Sequence, residues 1–197
     1  MSKGTETKTR ILDAALKVMT VYGVEGASMR DIAKEAHLNA ASIYNYFASK
    51  EEIVKSFYSY YREQYEKVRP DIDALLRRVE TDPPFEVLLG CDFHYPEEIQ
   101  ERMDSIFYVA SRRTSSDPGS AEFVHDIIYV APQNTVRPLL EEMIRLGKIE
   151  PMDIEAFINL LVYLTFGAAF LNLTPMKIGY EEWMASFGLL FSLIHPK

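Results

Sequence analysis

Three helix starts follow one another closely between residues 28 and 52. Ser28–Asp31 has the spacing of a capping box, Asn39 is a favoured N-cap residue, and Ser49–Glu52 has the spacing of a second capping box. The sequence therefore predicts two short helices joined by a tight turn, with a longer helix starting directly afterwards. This is the pattern of a helix-turn-helix, whose second helix fits the major groove of DNA.

Helical periodicity continues through the rest of the chain, and no strand-like alternation stands out. Apolar residues repeat at three- and four-residue spacing, which predicts helices at about 8–22, 49–69, 71–80, 84–91, 96–113, 135–146, 154–173 and 180–194, plus one carrying Phe123 that stops near Pro132. We expect Gly23 to end the first helix in the left-handed conformation, with positive φ, and the helix at about 135–146 to end at Gly147. The expected fold is all-α, with about nine helices.

Charge is distributed unevenly along the chain. The net charge is -8, yet residues 1–50 carry seven Lys/Arg against five Asp/Glu, whereas residues 51–197 carry an excess of acidic residues. This asymmetry fits a DNA-facing N-terminal part and an acidic body. The single cysteine, Cys91, excludes an intrachain disulfide and suits a cytoplasmic protein.

Residues 8–54 resemble the DNA-binding module of the tetracycline-repressor (TetR) family of bacterial transcription regulators. The resemblance is carried by Ile11-Leu-Asp-Ala-Ala15, Gly23-Val-Glu-Gly-Ala-Ser28, Arg30-Asp-Ile-Ala33 and Ile43-Tyr-Asn-Tyr-Phe-Ala-Ser-Lys-Glu-Glu-Ile53. It implies a helix-turn-helix DNA-binding domain over residues 1–48. It also implies a helical ligand-binding and dimerisation domain over residues 49–197.

The resemblance also implies which residues contact DNA. They lie at the start of the second helix, on the recognition helix and at the start of the fourth helix: Ser28, Arg30, Asn39, Ala40, Ser42, Tyr44, Asn45, Tyr46 and Lys50. The module core is expected to contain Ile32, Ala33, Ile43 and Phe47.

Two positions depart from the family pattern. His37 stands in the turn where glycine is usual, and we expect it to adopt positive φ at a small cost. Alanine occupies positions 40 and 41, where hydrogen-bonding residues or glycine are common. Because alanine reads only thymine methyl groups and shape, we expect thymine opposite Ala40.

The body is rich in aromatic side chains with polar tips, which suit a ligand cavity. Candidate lining residues are Tyr61, Tyr65, Phe93, His94, Tyr108, Arg112, His125, Tyr129, Tyr163 and Phe166. Arg112 or His125 would pair with an acidic group of a ligand. Cys91 and His94 have metal-ligand spacing, but a structural zinc site needs about four ligands. We therefore expect no metal site.

We expect a ligand-responsive regulator that acts as a repressor. The helices at about 153–173 and 180–194 would pair with their copies in a homodimer that binds a palindromic operator and is released by a small molecule. No Gly-rich phosphate loop, G-x-S-x-G or paired-histidine motif is present, so we expect neither catalysis nor a cofactor. Two alternatives stay open: a helical binding protein with sequence-independent DNA affinity, and an enzyme on a helical scaffold.

Overall fold

The computed structural model describes residues 3–91, 95–172, 178–192 and 194. These residues form eleven α-helices and no strand, which confirms the all-α prediction. The helices are α1 (Lys3–Gly26), α2 (Met29–Glu35), α3 (Ala40–Ile43), α4 (Lys50–Val68), α5 (Ile72–Val79), α6 (Pro84–Leu89), α7 (Glu97–Ser111), α8 (Pro118–His125), α9 (Ala131–Arg145), α10 (Ile154–Asn172) and α11 (Tyr180–Phe191). None of these helices combines the length and the apolar character that a membrane span requires.

The chain divides into two compact units. The first comprises Met1–Lys67 and Tyr95–Val124, and the second comprises Val68–His94 and His125–Lys197. Compactness thus groups α7 with the N-terminal helices. The functional boundary at residues 48 and 49 stays a prediction.

The first unit is built around α1, which packs against both α2 and α7, while α2 packs against α3. The four residues expected in the module core, Ile32, Ala33, Ile43 and Phe47, are buried with no more than 1 % of each exposed. α1 is interrupted at Gly23, whose φ of 74° is positive as predicted, although helical hydrogen bonding resumes as far as Gly26.

The second unit has its own apolar core. α9 packs against α5 and α10, α10 packs against α11, and α5 packs against α6. Its buried residues include Leu139, Leu140, Met143, Phe157, Ile158 and Phe187. The predicted cap of α10 is present, because the carboxylate of Asp153 accepts a hydrogen bond from the Ala156 backbone N–H at 3.0 Å.

The prediction that a helix stops near Pro132 is wrong. α8 continues through a π-helical segment, Asp126–Val130, directly into α9. Proline has no N–H, and its ring clashes with the carbonyl four residues earlier in a regular α-helix. Here the N–H of Ala131 donates to the carbonyl of Asp126, five residues back. We infer that this wider turn admits Pro132 without ending the helix.

The turn after α2 is a Schellman motif with histidine at its left-handed position. The N–H of His37 donates to the carbonyl of Lys34 at 3.1 Å, and the N–H of Leu38 donates to that of Ala33 at 2.8 Å. His37 has a φ of 54° and is the one non-glycine residue with positive φ among those described. α9 ends in the same pair of bonds, with Gly147 at the equivalent position and a φ of 67°.

This pair of motifs generates a prediction about stability. A left-handed conformation costs an L-residue about 1–2 kcal/mol, and glycine loses about 0.5–1 kcal/mol more backbone entropy on folding. We therefore expect His37→Gly to raise the free energy of unfolding by up to about 1 kcal/mol. Gly147→Ala should lower it by about 1 kcal/mol through backbone strain at positive φ. A clash adds nothing there, since a Cβ at this position meets nothing within 4 Å. Urea denaturation measures both, and a loss of stability in His37→Gly would contradict the backbone-strain argument.

Candidate nucleic-acid interface

In the first turn of α2, the carboxylate of Asp31 is hydrogen-bonded to Ser28. The N–H of Asp31 donates to Ser28 Oγ at 3.1 Å, and the N–H of Ser28 donates to the Asp31 carboxylate at 3.1 Å. The Ser28 hydroxyl also donates to that carboxylate, and this hydrogen bond lowers the pKa of Asp31. The predicted capping box is therefore confirmed. The box occupies the side chain of Ser28. Arg30, by contrast, is exposed, and it supplies a cation at this end of the helix.

α3 is a short helix that buries Ile43 and leaves Ala40 and Ala41 exposed. Ile43 is fully buried, and the predicted cap is confirmed because Asn39 Oδ1 accepts from the Ser42 N–H at 2.8 Å. Of the predicted DNA contacts on this segment, Asn39, Ala40, Tyr44 and Asn45 are exposed, while Ser42 and Tyr46 are half-buried. The structure therefore brings the recognition residues together on one short segment.

Lys50, the first residue of α4, is engaged inside the protein. Its Nζ donates to the carbonyl oxygens of Val24 and Ala27, both at 2.7 Å, and lies 3.4 Å from that of Glu25. The predicted phosphate contact of Lys50 stays a prediction. The second capping box is present in a shifted form, since the N–H of Glu52 donates to Ser49 Oγ but the Glu52 carboxylate accepts from Ala48.

A polar chain that the sequence did not predict joins α1, α4 and the segment between α7 and α8. Arg113 Nε donates to Glu25 at 3.0 Å, and its guanidinium lies 4.0 Å from Asp117. The Asp117 carboxylate accepts from the hydroxyl of Ser120, which is 2.6 Å from the Tyr58 hydroxyl. The Ser120 hydrogen bond lowers the pKa of Asp117, and burial raises that of Tyr58.

Two candidate ligand residues lie on α4. Tyr61 is buried, with its ring edge-on to Tyr95 at 5.7 Å and to Phe123 at 5.1 Å between centroids. Burial raises the pKa of Tyr61 to about 12, so its hydroxyl stays protonated at neutral pH. Tyr65, one turn further along, is half-buried. These side chains form an aromatic cluster of the first unit, and a role in ligand binding stays a prediction.

Four further candidate ligand residues form two pairs of contacting side chains, one pair in each unit. On α7, the guanidinium of Arg112 lies over the ring of Tyr108, 5.4 Å from its centroid. In the second unit, the rings of His125 and Tyr129 stack at 5.3 Å, and the Tyr129 hydroxyl donates to Glu155 at 2.8 Å. This hydrogen bond raises the pKa of Tyr129.

The remaining candidates differ in what the structure describes. Tyr163 and Phe166 are exposed on α10, whereas Phe93 and His94 lie outside the described residues. Cys91 is half-buried against the apolar core of the second unit. Within the described part of the chain, no three His, Cys, Asp or Glu side chains cluster in a way that would hold a metal ion.

The fold and the exposed segment 39–46 define a helix-turn-helix protein, and comparison with known proteins identifies the family of its DNA-binding module. Residues 11–57 match the family model for bacterial regulatory proteins of the tetR family. The biofilm operon icaADBC HTH-type negative transcriptional regulator IcaR of Staphylococcus epidermidis is 25 % identical over 163 residues, which cover 79 % of this chain and 78 % of the relative. Residues 11–57 are therefore a DNA-binding module of the TetR family, and the relative that matches most of the chain is a transcriptional regulator.

Solved structures agree with this assignment at the level of the fold. A TetR-family transcriptional regulator from Cytophaga hutchinsonii superposes with a TM-score of 0.63 at 20 % identity, covering 100 % of this chain and 98 % of that one. AibR, solved in complex with isovaleryl coenzyme A and operator DNA, superposes with a TM-score of 0.59 at 18 % identity, covering 97 % of this chain and 100 % of that one.

The polar chain generates a prediction about Arg113. Its side chain is only 12 % exposed and contacts Glu25 and Asp117, so Arg113→Met removes both charge contacts. We expect the free energy of unfolding to fall by about 1–2 kcal/mol. The neighbouring Arg112→Met removes the same charge from an exposed side chain and should cost less than about 1 kcal/mol. Equal losses in urea denaturation would show that the Arg113 contacts contribute little.

Proposed function

We propose that this regulator is a repressor that binds a palindromic operator as a homodimer and leaves it when a small molecule binds. The observation that carries the proposal is the exposure of the recognition segment, residues 39–46. α3 is held by the buried Ile43, while Ala40 in α3 and Tyr44 and Asn45 directly after it are exposed. A short helix presented in this way, one turn after α2, is what a major-groove contact requires.

The exposed groups suggest how this surface reads DNA. Arg30 supplies a cation for the phosphate backbone, and Tyr44 and Asn45 supply hydrogen-bonding groups for base edges or phosphates. Ala40 presents only a methyl group, which fits contact with a thymine methyl. Asn39 uses its oxygen as a helix cap, so its amide nitrogen is the group that suits a base acceptor.

An exposed apolar face in the second unit supports the proposed dimer. Four large side chains at helical spacing lie open on α10, and a fifth lies open on α11: Leu160, Tyr163, Phe166, Phe170 and Leu189. A monomer rarely leaves so many large apolar groups exposed together on two adjacent helices. We therefore assign Tyr163 and Phe166 to subunit contact and no longer to ligand binding.

Glycines on the same two helices favour close packing of this face. A Cβ added at Gly167 or at Gly188 would meet nothing within 4 Å. Open space at a helical glycine lets the backbone of another helix approach closely, as expected when two copies of α10 and α11 form a four-helix contact. A twofold dimer presents two copies of α3, which requires an operator with inverted half-sites.

Release by a small molecule rests on relatives and on linkage. IcaR is named a negative regulator, and AibR was solved with both an acyl coenzyme A and operator DNA. A ligand lowers DNA affinity only if it binds the DNA-free conformation better than the DNA-bound one. The proposed ligand contacts in the first unit are the cluster around Tyr61 and Tyr65 and the pair of Arg112 with Tyr108. In the second unit, the pair of His125 with Tyr129 is a separate candidate contact. The protein would act in the cytoplasm, where its operator lies.

Selection of bound genomic fragments tests the proposed function directly. We expect the purified protein to enrich fragments that share one inverted repeat, and a screen of small molecules to find one that releases them. Binding that depends on salt but shows no sequence preference would favour the alternative of a helical binding protein with a non-specific DNA module.

Tyr44 provides a point test of the recognition surface. Tyr44, directly after α3, is 57 % exposed, so Tyr44→Ala should weaken operator binding by about 10- to 100-fold while leaving the fold and the dimer intact. Tyr22→Ala is the matched control, because Tyr22 is 67 % exposed on α1 outside the recognition segment. Fluorescence anisotropy measures both affinities. Equal effects of the two changes would remove Tyr44 from the DNA contacts.

The apolar face generates a prediction about assembly. Tyr163→Glu and Leu189→Glu would each bury two unpaired carboxylates in a twofold contact, so we expect the dimer dissociation constant to rise by about 100-fold or more. Val21→Glu is the control, since Val21 is 67 % exposed, close to the 68 % of Tyr163, and lies on α1. Sedimentation equilibrium decides, and an unchanged dimer in both face variants would place the subunit contact elsewhere.

A further inference from the structure

The turn that joins α1 to α2 is held from α4 by one side chain. Val24 and Ala27 are each 2 % exposed, and their carbonyl oxygens accept hydrogen bonds from Lys50 Nζ at 2.7 Å. A third carbonyl, that of Glu25, lies 3.4 Å from the same nitrogen. A lysine ammonium has three N–H donors, so three carbonyl acceptors use its full capacity.

The chemistry of this contact is that of a helix C-terminal cap. The last carbonyl groups of a helix lack partners within the helix and carry the negative end of its dipole. A lysine side chain placed at that end satisfies the carbonyl groups and neutralises the partial charge. Lys50 supplies this cap from another helix, 23 to 26 residues further along the chain.

The same turn has a second attachment. Arg113, which follows α7, donates from Nε to the Glu25 carboxylate at 3.0 Å. The segment Val24–Ala27 is therefore attached to the beginning of α4 through its backbone and to the end of α7 through a side chain.

The turn lies where it can set the orientation of the recognition segment. Ala27 immediately precedes Ser28, the N-cap of α2, and α2 leads through the His37 turn to α3. We propose that Lys50 is a positioning residue that fixes the start of α2 relative to α4, and that its ammonium is not a phosphate contact. This proposal rests on the proposed DNA-binding function, because the segment being positioned is the one assigned to the major groove.

Thermal unfolding in the absence of DNA tests the carbonyl contact. We expect Lys50→Met to lower the melting temperature by about 5 °C, because two buried carbonyl groups lose a charged donor. Lys55→Met is the matched control, since it removes the same charge from an exposed site on the same helix, and it should shift the melting temperature by about 1 °C or less. Equal shifts would overturn the proposal. This arm needs no operator, so it stands apart from the test of the proposed function.

The salt dependence of operator binding distinguishes positioning from phosphate contact. Each lost phosphate contact reduces the slope of log affinity against log salt by about 0.9, or about twice that for a dimer on two half-sites. We expect Lys50→Met to weaken binding about 10-fold with an unchanged slope. Arg30→Met calibrates the assay, since loss of a phosphate contact there should reduce the slope. A slope reduced in Lys50→Met as well would overturn the proposal.

Discrimination between operator spacings separates a positioning role from simple stabilisation. The wild-type protein should bind its operator at least about 10-fold more tightly than the same operator with one central base pair inserted. If Lys50 fixes the orientation of α2, this ratio should fall to about 3-fold or less in Lys50→Met, measured well below its melting temperature. An unchanged ratio would mean that Lys50 only stabilises the fold, which also overturns the proposal.

A second variant serves if Lys50→Met does not fold. Lys50→Arg keeps the positive charge but replaces a compact ammonium with a planar, larger group that fits three converging carbonyl oxygens poorly. We expect a melting temperature lowered by about 2–3 °C and a reduced spacing ratio, with the salt slope of the wild-type protein. Wild-type values for all three quantities would overturn the proposal.

Discussion

The carbonyl groups at the end of α1 are the constraint around which the DNA-binding part of the chain is arranged. A helix must end before α2 can turn away from it, and the ending leaves carbonyl groups that need donors. Because Val24 and Ala27 are buried, water cannot fully supply donors to their carbonyl groups, and the side chain of Lys50 does so. The end of α1, the start of α2 and the start of α4 are thereby fixed by one cation.

Capping of helix ends also limits which polar groups are available on the recognition surface. Ser28 and Asn39 belong to the positions expected to contact DNA, yet each has an oxygen committed to capping the helix that it begins. A cap makes a short helix stable but occupies the atom that would otherwise bond to DNA. In the proposed interface, specificity would therefore come from the exposed groups that have no such duty, Tyr44 and Asn45, and from methyl contact at Ala40. A surface with so few donors would place more weight on the geometry of the two half-sites of the proposed operator.

Local rules predicted the local structure well. The caps at Ser28, Asn39 and Asp153 followed from residue type and spacing, because a cap is determined within about four residues, whereas the positive φ of His37 was expected from the family pattern. The same rules failed at Pro132, where a π-helical turn lets the helix continue and no residue signals that choice. The pairing of Arg113 with Glu25 spans 88 residues, and no spacing in the sequence could indicate it. The exposed face of α10 could not be told from a buried one, since both are apolar.

A protein built in this way links its stability to its DNA affinity. If α4 moves, its first residue, Lys50, must either carry the end of α1 with it or give up the carbonyl contacts. Loss of these contacts leaves buried carbonyl groups without a donor, which costs more free energy than a small rigid shift of the turn. The shift is therefore the favoured response. The start of α2 would then move with α4, and through α2 the position of α3. In the proposed dimer, a ligand that displaces α4 in each subunit would change the separation of the two α3 helices in this way, and the differential affinity of that ligand for the two arrangements would set how far the operator equilibrium moves.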